Sequence, residues 1–385
     1  MKNRTLLLMM ACLLFLKSPV SADNCTDSPD TAVLAVVNLK NSSKWERIQE
    51  VVEIDFNLLS PKLKGVGHFR VVNAETGEEL VYQIEYKGAD QPKNLLVQVT
   101  LPAEGEVVVH LKEEMPSGFS PQTFARYVPE RKDDFAWEND LVAFRMYGKA
   151  LENTKENAFG IDVWAKRTRQ LIVDKWYKHG DYHTDHGEGL DYYSVGFTLG
   201  GGDIAPFVDD SIYFSKNYER HAVLDNGPLR STFQLFYGSW EVNGVSVTAI
   251  KEITLDAGSQ LNRITVQYQI EGAGQLPAVV GIVKRNDPGE IYFNEERKIM
   301  GYWEPPYKNE GNLGVGCILV GDMQDFKIHK GHLLSRITAT NHQPIVYYAG
   351  AAWSKAKQIT SPEEWFHYLT AFADKIDHPV EISVL

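Results

Sequence analysis

From residue 229 to residue 353 the chain repeats one pattern, in which runs of seven or more residues alternate apolar and polar side chains between turn residues. The runs cover 229–237, 245–255, 261–271, 278–284, 333–340 and 345–353. Alternation with a period of two suits a strand with one wet and one dry face, and a succession of such strands suits an antiparallel sandwich. The 18 Tyr, 17 Phe and 8 Trp agree with this, because aromatic side chains pack well on pleated surfaces. Helical periodicity is scarce. One helix is expected near the end, opened by Ser361-Pro362-Glu363-Glu364 and carrying an apolar face over 365–373.

The first third has shorter strands, at 32–39, 50–56, 67–72, 79–86, 94–101 and 106–111, with turn signals between them. We read 23–115 as a small β-sandwich of immunoglobulin-like size and 116–385 as a large antiparallel β-sandwich catalytic domain, with Met115-Pro116-Ser117-Gly118 as the linker. Residues 1–22 read as a signal peptide. Lys2 and Arg4 precede the apolar run 6–16, and Val20-Ser21-Ala22 offers small residues for cleavage. The apolar run is too short to span a bilayer, and no later one is longer. The protein is therefore expected in the periplasm or outside the cell. Losing Lys2, Arg4 and Lys17 changes 39 basic and 51 acidic residues to 36 and 51, a net charge of −15. That balance argues against nucleic acid and requires a local basic cluster for any anionic substrate. Cys25 and Cys317 remain as a pair that need not be joined.

The densest chemistry lies at Tyr182-His183-Thr184-Asp185-His186-Gly187-Glu188-Gly189-Leu190-Asp191-Tyr192-Tyr193, followed by Gly200-Gly201-Gly202. Gly187 and Gly189 break regular structure, and so many titratable groups are costly to bury unpaired. An ordered polar loop at a site is one reading, and a solvated surface loop is its rival. His183, His186 and Glu188 are candidate ligands for a divalent metal, although His-x-x-His matches often arise by accident. An acid/base role for the histidines is the better supported chemistry. Upstream, Ala143, Arg145 and Tyr147 share a face if 141–148 is a strand, and Arg145 offers a planar fork for a carboxylate. A structural ion pair with Glu138 or Asp140 is the rival. The stretch 162–178 holds Trp164, Lys166, Arg167, Arg169, Lys175, Trp176, Tyr177 and Lys178, read as a cationic, aromatic patch for acidic sugars or as a basic strand on a wet face. Lys284-Arg285-Asn286-Asp287 and Trp303-Glu304-Pro305-Pro306-Tyr307 are weaker candidates, the latter as an aromatic wall.

Residues 137–148 (WENDLVAFRMYG), 160–167 (GIDVWAKR) and 182–206 (YHTDHGEGLDYYSVGFTLGGGDIAP) together resemble domain-of-unknown-function family 4861, from about residue 31 to the end. The resemblance implies an exported protein of polysaccharide degradation. It further implies a dehydratase acting on the non-reducing-end uronic acid of ulvan oligosaccharides, with a 4,5-unsaturated uronate as product. By analogy with other uronate-eliminating enzymes, the large sandwich is expected to be a supersandwich of the galactose-mutarotase-like kind. Such an elimination needs a cation on the carboxylate, a base for the C5 proton and an acid for the C4 oxygen. Arg145, Lys166, Arg167 and Lys175 are candidates for the first, His183 or His186 for the second, and Tyr147, Tyr192 or Tyr193 for the third. Trp137, Trp164, Tyr192 and Glu188 complete the expected contacts to a uronic-acid-containing oligosaccharide. A lyase, a hydrolase using Asp185 with Glu188 or Asp191, and a mutarotase-like or purely sugar-binding protein remain open.

Overall fold

A computed structural model describes residues 32–385 of the chain; the signal peptide and Cys25 lie outside the described residues. The protein is mainly β, with a small sandwich joined to a large one. In the small sandwich, Val33–Lys40, Glu106–Lys112 and Arg70–Asn73 form one sheet, facing a sheet of Arg47–Asp55, Asn94–Leu101 and Tyr82–Glu85. Alternate residues of these strands, among them Val37, Leu39, Ile54, Val97 and Val109, fill the space between the sheets. The chain returns here at its end, where Glu381–Val384 pairs antiparallel with the open edge of Val33–Lys40. Covering an edge in this way removes a row of unpaired backbone groups.

The large unit is built on an eight-stranded antiparallel sheet that includes the long strands Arg230–Val242, Val245–Asp256, Leu261–Ile270 and Pro344–Trp353. Two five-stranded sheets supply the other side of its core, where Trp137, Phe144 and Val163 meet Phe233, Val247 and Ile264. One five-stranded sheet contains Thr123–Val128, Asp134–Asn139, Ala143–Met146 and Asp162–Lys166, and the other Gly201–Val208, Gln275–Val283 and His332–Thr340. They touch through a parallel bridge between Ile161 and Gly200. The glycine run explains this approach. A Cβ on Gly200, whose φ is +57°, would stand 2.2 Å from the Ile161 carbonyl oxygen, and one on Gly201 would stand 2.7 Å from Val163. The run is thus a packing requirement of the two sheets.

The expected late helix spans Pro362–Asp377 and is capped by the Ser361 hydroxyl, which accepts from the Glu364 N–H. It lies on the outer face of the eight-stranded sheet, where Trp365 and Leu369 fit over the bare backbone of Gly314 and Gly316. Cys317 is buried in the core and has no disulfide partner among the described residues.

Arg230 fastens the small sandwich to the large one. Its guanidinium reaches Asp256 at 2.5 Å on its own unit, and Glu53 at 2.6 Å and Glu85 at 3.1 Å on the small sandwich. Glu85 is fully buried, so removing Arg230 leaves it only the longer pairing with Lys87 at 3.5 Å. We expect Arg230→Met to lower the unfolding free energy by roughly 3–5 kcal/mol, measured by denaturant melts. A variant as stable as the parent would show that the seam holds without this network.

Candidate active site

The outer face of the sheet Thr123–Val128 to Asp162–Lys166 carries the polar residues that drew attention in the sequence, and the protein covers that face with its own chain. Arg145 lies at the centre, 4% exposed. It contacts Asp162 at 2.6 Å, Asp191 at 3.1 Å and Asp134 at 3.7 Å, and it donates to the Tyr147 hydroxyl at 3.3 Å. Burial pushes all three carboxyls above their usual range against the pull of Arg145, Asp134 to about 6. The expectation that Arg145 and Tyr147 meet a substrate is corrected here. The fork of Arg145 is occupied by internal carboxyls, and Tyr147 is buried beneath the guanidinium at 4.8 Å.

Three expected sugar contacts are also inside the protein. Trp137 faces the core and donates to Asn262 at 2.7 Å, while Trp164 is sandwiched between Trp176 and Tyr182 at ring distances of 5.6 and 5.1 Å. Neither presents a ring face to a ligand, since both are fully buried. Lys166 pairs with Glu138 at 2.8 Å, and burial lowers its affinity for a proton. The Glu138 carboxylate also accepts the N–H groups of Ile172 and Val173, at 2.7 Å each for one oxygen, and so starts a short helix, Val173–His179. That helix lies over the sheet face and buries Trp176 against Trp164. The sequence reading of this stretch, a cationic, aromatic patch or a basic strand, did not include a helix.

The histidine loop is ordered by the same groups. Asp185 accepts from the N–H of Gly187 at 2.8 Å and pairs with Arg167 at 2.8 Å, and Lys175 pairs with Glu188 at 2.8 Å. Asp191 anchors the loop to Arg145, and the Asp191 N–H donates to the Tyr182 carbonyl at 2.8 Å. His183 is 64% exposed, with Nδ1 2.8 Å from the Asp191 carbonyl. A carbonyl only accepts, so Nδ1 donates and Nε2 of the neutral ring keeps its lone pair facing outward. His186 is also exposed, but its Nε2 lies 3.2 Å from both the carbonyl and the carboxylate of Asp181. His183, His186 and Glu188 do not converge, and among the described residues no group of three His, Cys, Asp or Glu is placed to hold a metal ion.

Beyond Asp191 the chain reaches a second cluster, open to solvent at Tyr307 and part of Arg285, with Glu304, Tyr193 and Trp353 buried behind them. Tyr192 stacks on Tyr307 at 5.4 Å and lies 6.5 Å from Trp353, and the Arg167 guanidinium lies over the Trp353 ring at 5.6 Å. Tyr193 is buried under Arg285, whose guanidinium sits 4.5 Å above its ring. Arg285 donates to Glu304 at 2.8 Å and to the Ser194 carbonyl at 2.8 Å, which leaves Nη2 without a partner among the described residues. Burial lifts Glu304 to about 7 despite the guanidinium beside it. It also raises the phenols of Tyr192 and Tyr193, whose buried hydroxyls have no partner among the described residues. Arg285 and Glu304 had only a weak place in the sequence reading. Their only local signals are a charged strand end and an acid inside an aromatic loop.

The family model described as "Domain of unknown function (DUF4861)" matches residues 39–382. The chain belongs to this family. A relative from Formosa agariphila, carrying only the name uncharacterized protein P7, is 30% identical over 389 residues, which is 91% of this chain and 93% of the relative. Among solved structures, an alpha-mannosidase from Enterococcus faecalis aligns at 9% identity and TM-score 0.48, over 91% of this chain and 46% of its own. A protein of glycosyl hydrolase family 38 from the same organism aligns at 11% and 0.49, over 91% and 47%. The family chain thus spans about half the length of these two solved chains.

Arg145→Ala would leave three carboxyls buried without their cation. We expect it to destabilise the fold by roughly 3–5 kcal/mol, seen in denaturant melts, and to loosen the loop. Unchanged stability would contradict the structural role. Because Asp134 holds its proton up to about 6 when folded, against 3.8 ordinarily, its contribution to stability falls as pH rises through that window. Asp134→Asn should flatten the pH dependence of the melting temperature there, and an unaltered profile would refute that assignment.

Proposed function

We propose that this family member is an exported carbohydrate-active enzyme that eliminates water from the non-reducing-end uronic acid of an oligosaccharide of the ulvan kind. The observation that carries this reading is the open cluster. A guanidinium with an unused edge, Arg285, stands beside Glu304, a carboxyl that keeps its proton near neutral pH. Both lie in one neighbourhood with the rings of Tyr192, Tyr307 and Trp353. Aromatic faces suit the apolar faces of sugar rings, and the free edge of Arg285 suits a carboxylate.

In this mechanism Arg285 holds the C6 carboxylate and stabilises the charge that develops there as the C5–H bond breaks. His183 Nε2 takes that proton, its tautomer set by the Asp191 carbonyl. The electron pair forms the C4–C5 double bond, the C4–O bond breaks, and Glu304 protonates the leaving oxygen, which departs as water. If C4 carries a sugar instead, the same groups perform a lyase reaction. A hydrolase is the second reading, favoured by Glu304 alone, because a glycosidase also needs a carboxyl that is protonated near neutral pH.

The deciding measurement is incubation of the purified protein with uronic-acid-ended oligosaccharides, followed by ultraviolet absorbance and mass spectrometry. A new absorbing product lighter by one water supports dehydration. Chain cleavage with absorbance indicates a lyase, cleavage without it a hydrolase, and unchanged sugars a binding protein. Under the dehydratase reading, Glu304→Gln should cost about 10²–10⁴ in kcat with little loss of stability. The parent's rate should fall as pH rises through about 7, where Glu304 gives up its proton. An alkaline limb that survives in Glu304→Gln would assign the acid elsewhere.

A further inference from the structure

A groove of about 560 Å³ runs along the seam between the small sandwich, the linker and the Leu224–Pro228 turn of the large unit. It lies apart from Arg285 and Glu304, and no residue of the open cluster lines it. Its volume falls within the range of roughly 300–1,000 Å³ common to small-ligand sites, which favour such boundaries between units. Its walls are rigid. Tyr82 donates its hydroxyl to the Phe69 carbonyl at 2.7 Å and stacks on Phe69 at 5.1 Å, with the Phe119 ring meeting it edge-on at 5.6 Å. Gln83 fixes the seam by accepting the N–H groups of Leu229 and Arg230 at 2.9 and 2.8 Å. Tyr86, 37% exposed, offers a free ring, and its hydroxyl has no partner among the described residues.

We propose that this groove is a second saccharide-binding site, one that takes neutral sugar units and not uronates. Charge decides between the two. The lining contains Asp225 and no lysine or arginine, and Arg230, which acts on Asp225 from behind the lining, is already paired with Glu53, Glu85 and Asp256, so an entering carboxylate meets repulsion and no free cation. Asp225 is held in place by the N–H groups of Tyr86 at 2.8 Å and Lys87 at 2.6 Å. Its remaining lone pairs accept from sugar hydroxyls, and the rings of Tyr86 and Phe119 take the apolar sugar face. The chain's own leading segment is a poor occupant. Residues 23–31 carry Asp23, Asp27 and Asp30 and no large apolar side chain. The groove would hold the neutral part of a glycan whose acidic end is processed elsewhere, but the binding itself does not depend on which reaction the open cluster performs.

The test is calorimetric titration of the mature full-length protein with cellopentaose, xylopentaose, mannopentaose and a β-1,4-galactopentaose. We expect at least one to bind, Tyr86→Ala and Phe119→Ala each to weaken it tenfold or more, and Glu304→Gln to leave it unchanged. Tyr86→Ala removes an exposed ring, and turnover on uronate-ended oligosaccharides, where present, should match the parent. Failure of all four sugars to bind at millimolar concentration overturns the proposal. Binding that survives Tyr86→Ala and Phe119→Ala but is lost in Glu304→Gln overturns it as well, by placing the sugars at the open cluster. Binding that appears only after residues 23–31 are removed assigns the groove to that segment and likewise overturns it.

Discussion

A guanidinium removed from water must be surrounded by acceptors, and the polar half of this protein is arranged around that demand. Arg145 brings together carboxyls from two strands and from the histidine loop. Of these, Asp191 matters most for the surface, because it ties a glycine-broken, charge-rich loop to the sheet. His183 takes its orientation from the carbonyl of that same residue, and the next two residues are Tyr192 and Tyr193 of the open cluster. A buried ion network of this kind contributes little net stability compared with an apolar core, yet removing one member is costly. Here the network specifies where a loop sits.

Displaced protonation equilibria mark both clusters, so displacement alone does not locate a site. The groups around Arg145 are displaced because they are buried with one another, and their polar edges are already committed. Around Arg285 the displacement coexists with an unused guanidinium edge, partial exposure and exposed ring surface. The difference lies in what remains free to bind.

The alternating strands were legible because a half-buried strand writes its two faces into the sequence with a period of two. The late helix was legible because Ser361, Pro362 and Glu364 cap it locally. The short helix Val173–His179 left no such mark. Ile172 stands at its start with no capping side chain, and the orphan N–H groups are taken by Glu138 from a distant strand. Trp137, Trp164 and Lys166 misled for another reason. Residue type does not say which way a side chain faces, and Asp134–Asn139 and Asp162–Lys166 are buried on both faces, so no alternation separates inside from outside. Arg285 and Glu304 follow strands of two different sheets, Gln275–Val283 and Ile299–Trp303, and meet only where those sheets pack together, and Glu381–Val384 is too short to stand out.

The charges of the basic stretch are largely spent within the loop, since Arg167 faces Asp185 and Lys175 faces Glu188. Arg285 differs because its partner is uncharged for much of the time near neutral pH. A protonated Glu304 leaves the guanidinium with a whole positive charge in a chain whose formal net charge is −12. An arriving carboxylate would find that charge uncompensated. Once bound, it would disfavour ionisation of Glu304 further, as a like charge nearby does. Under the proposed chemistry, substrate binding and retention of the catalytic proton therefore reinforce each other. A carboxylate-free sugar would bring neither the attraction nor the rise in proton affinity, so under the proposed chemistry this pair would favour acidic sugars for a physical reason that does not depend on the shape of the site.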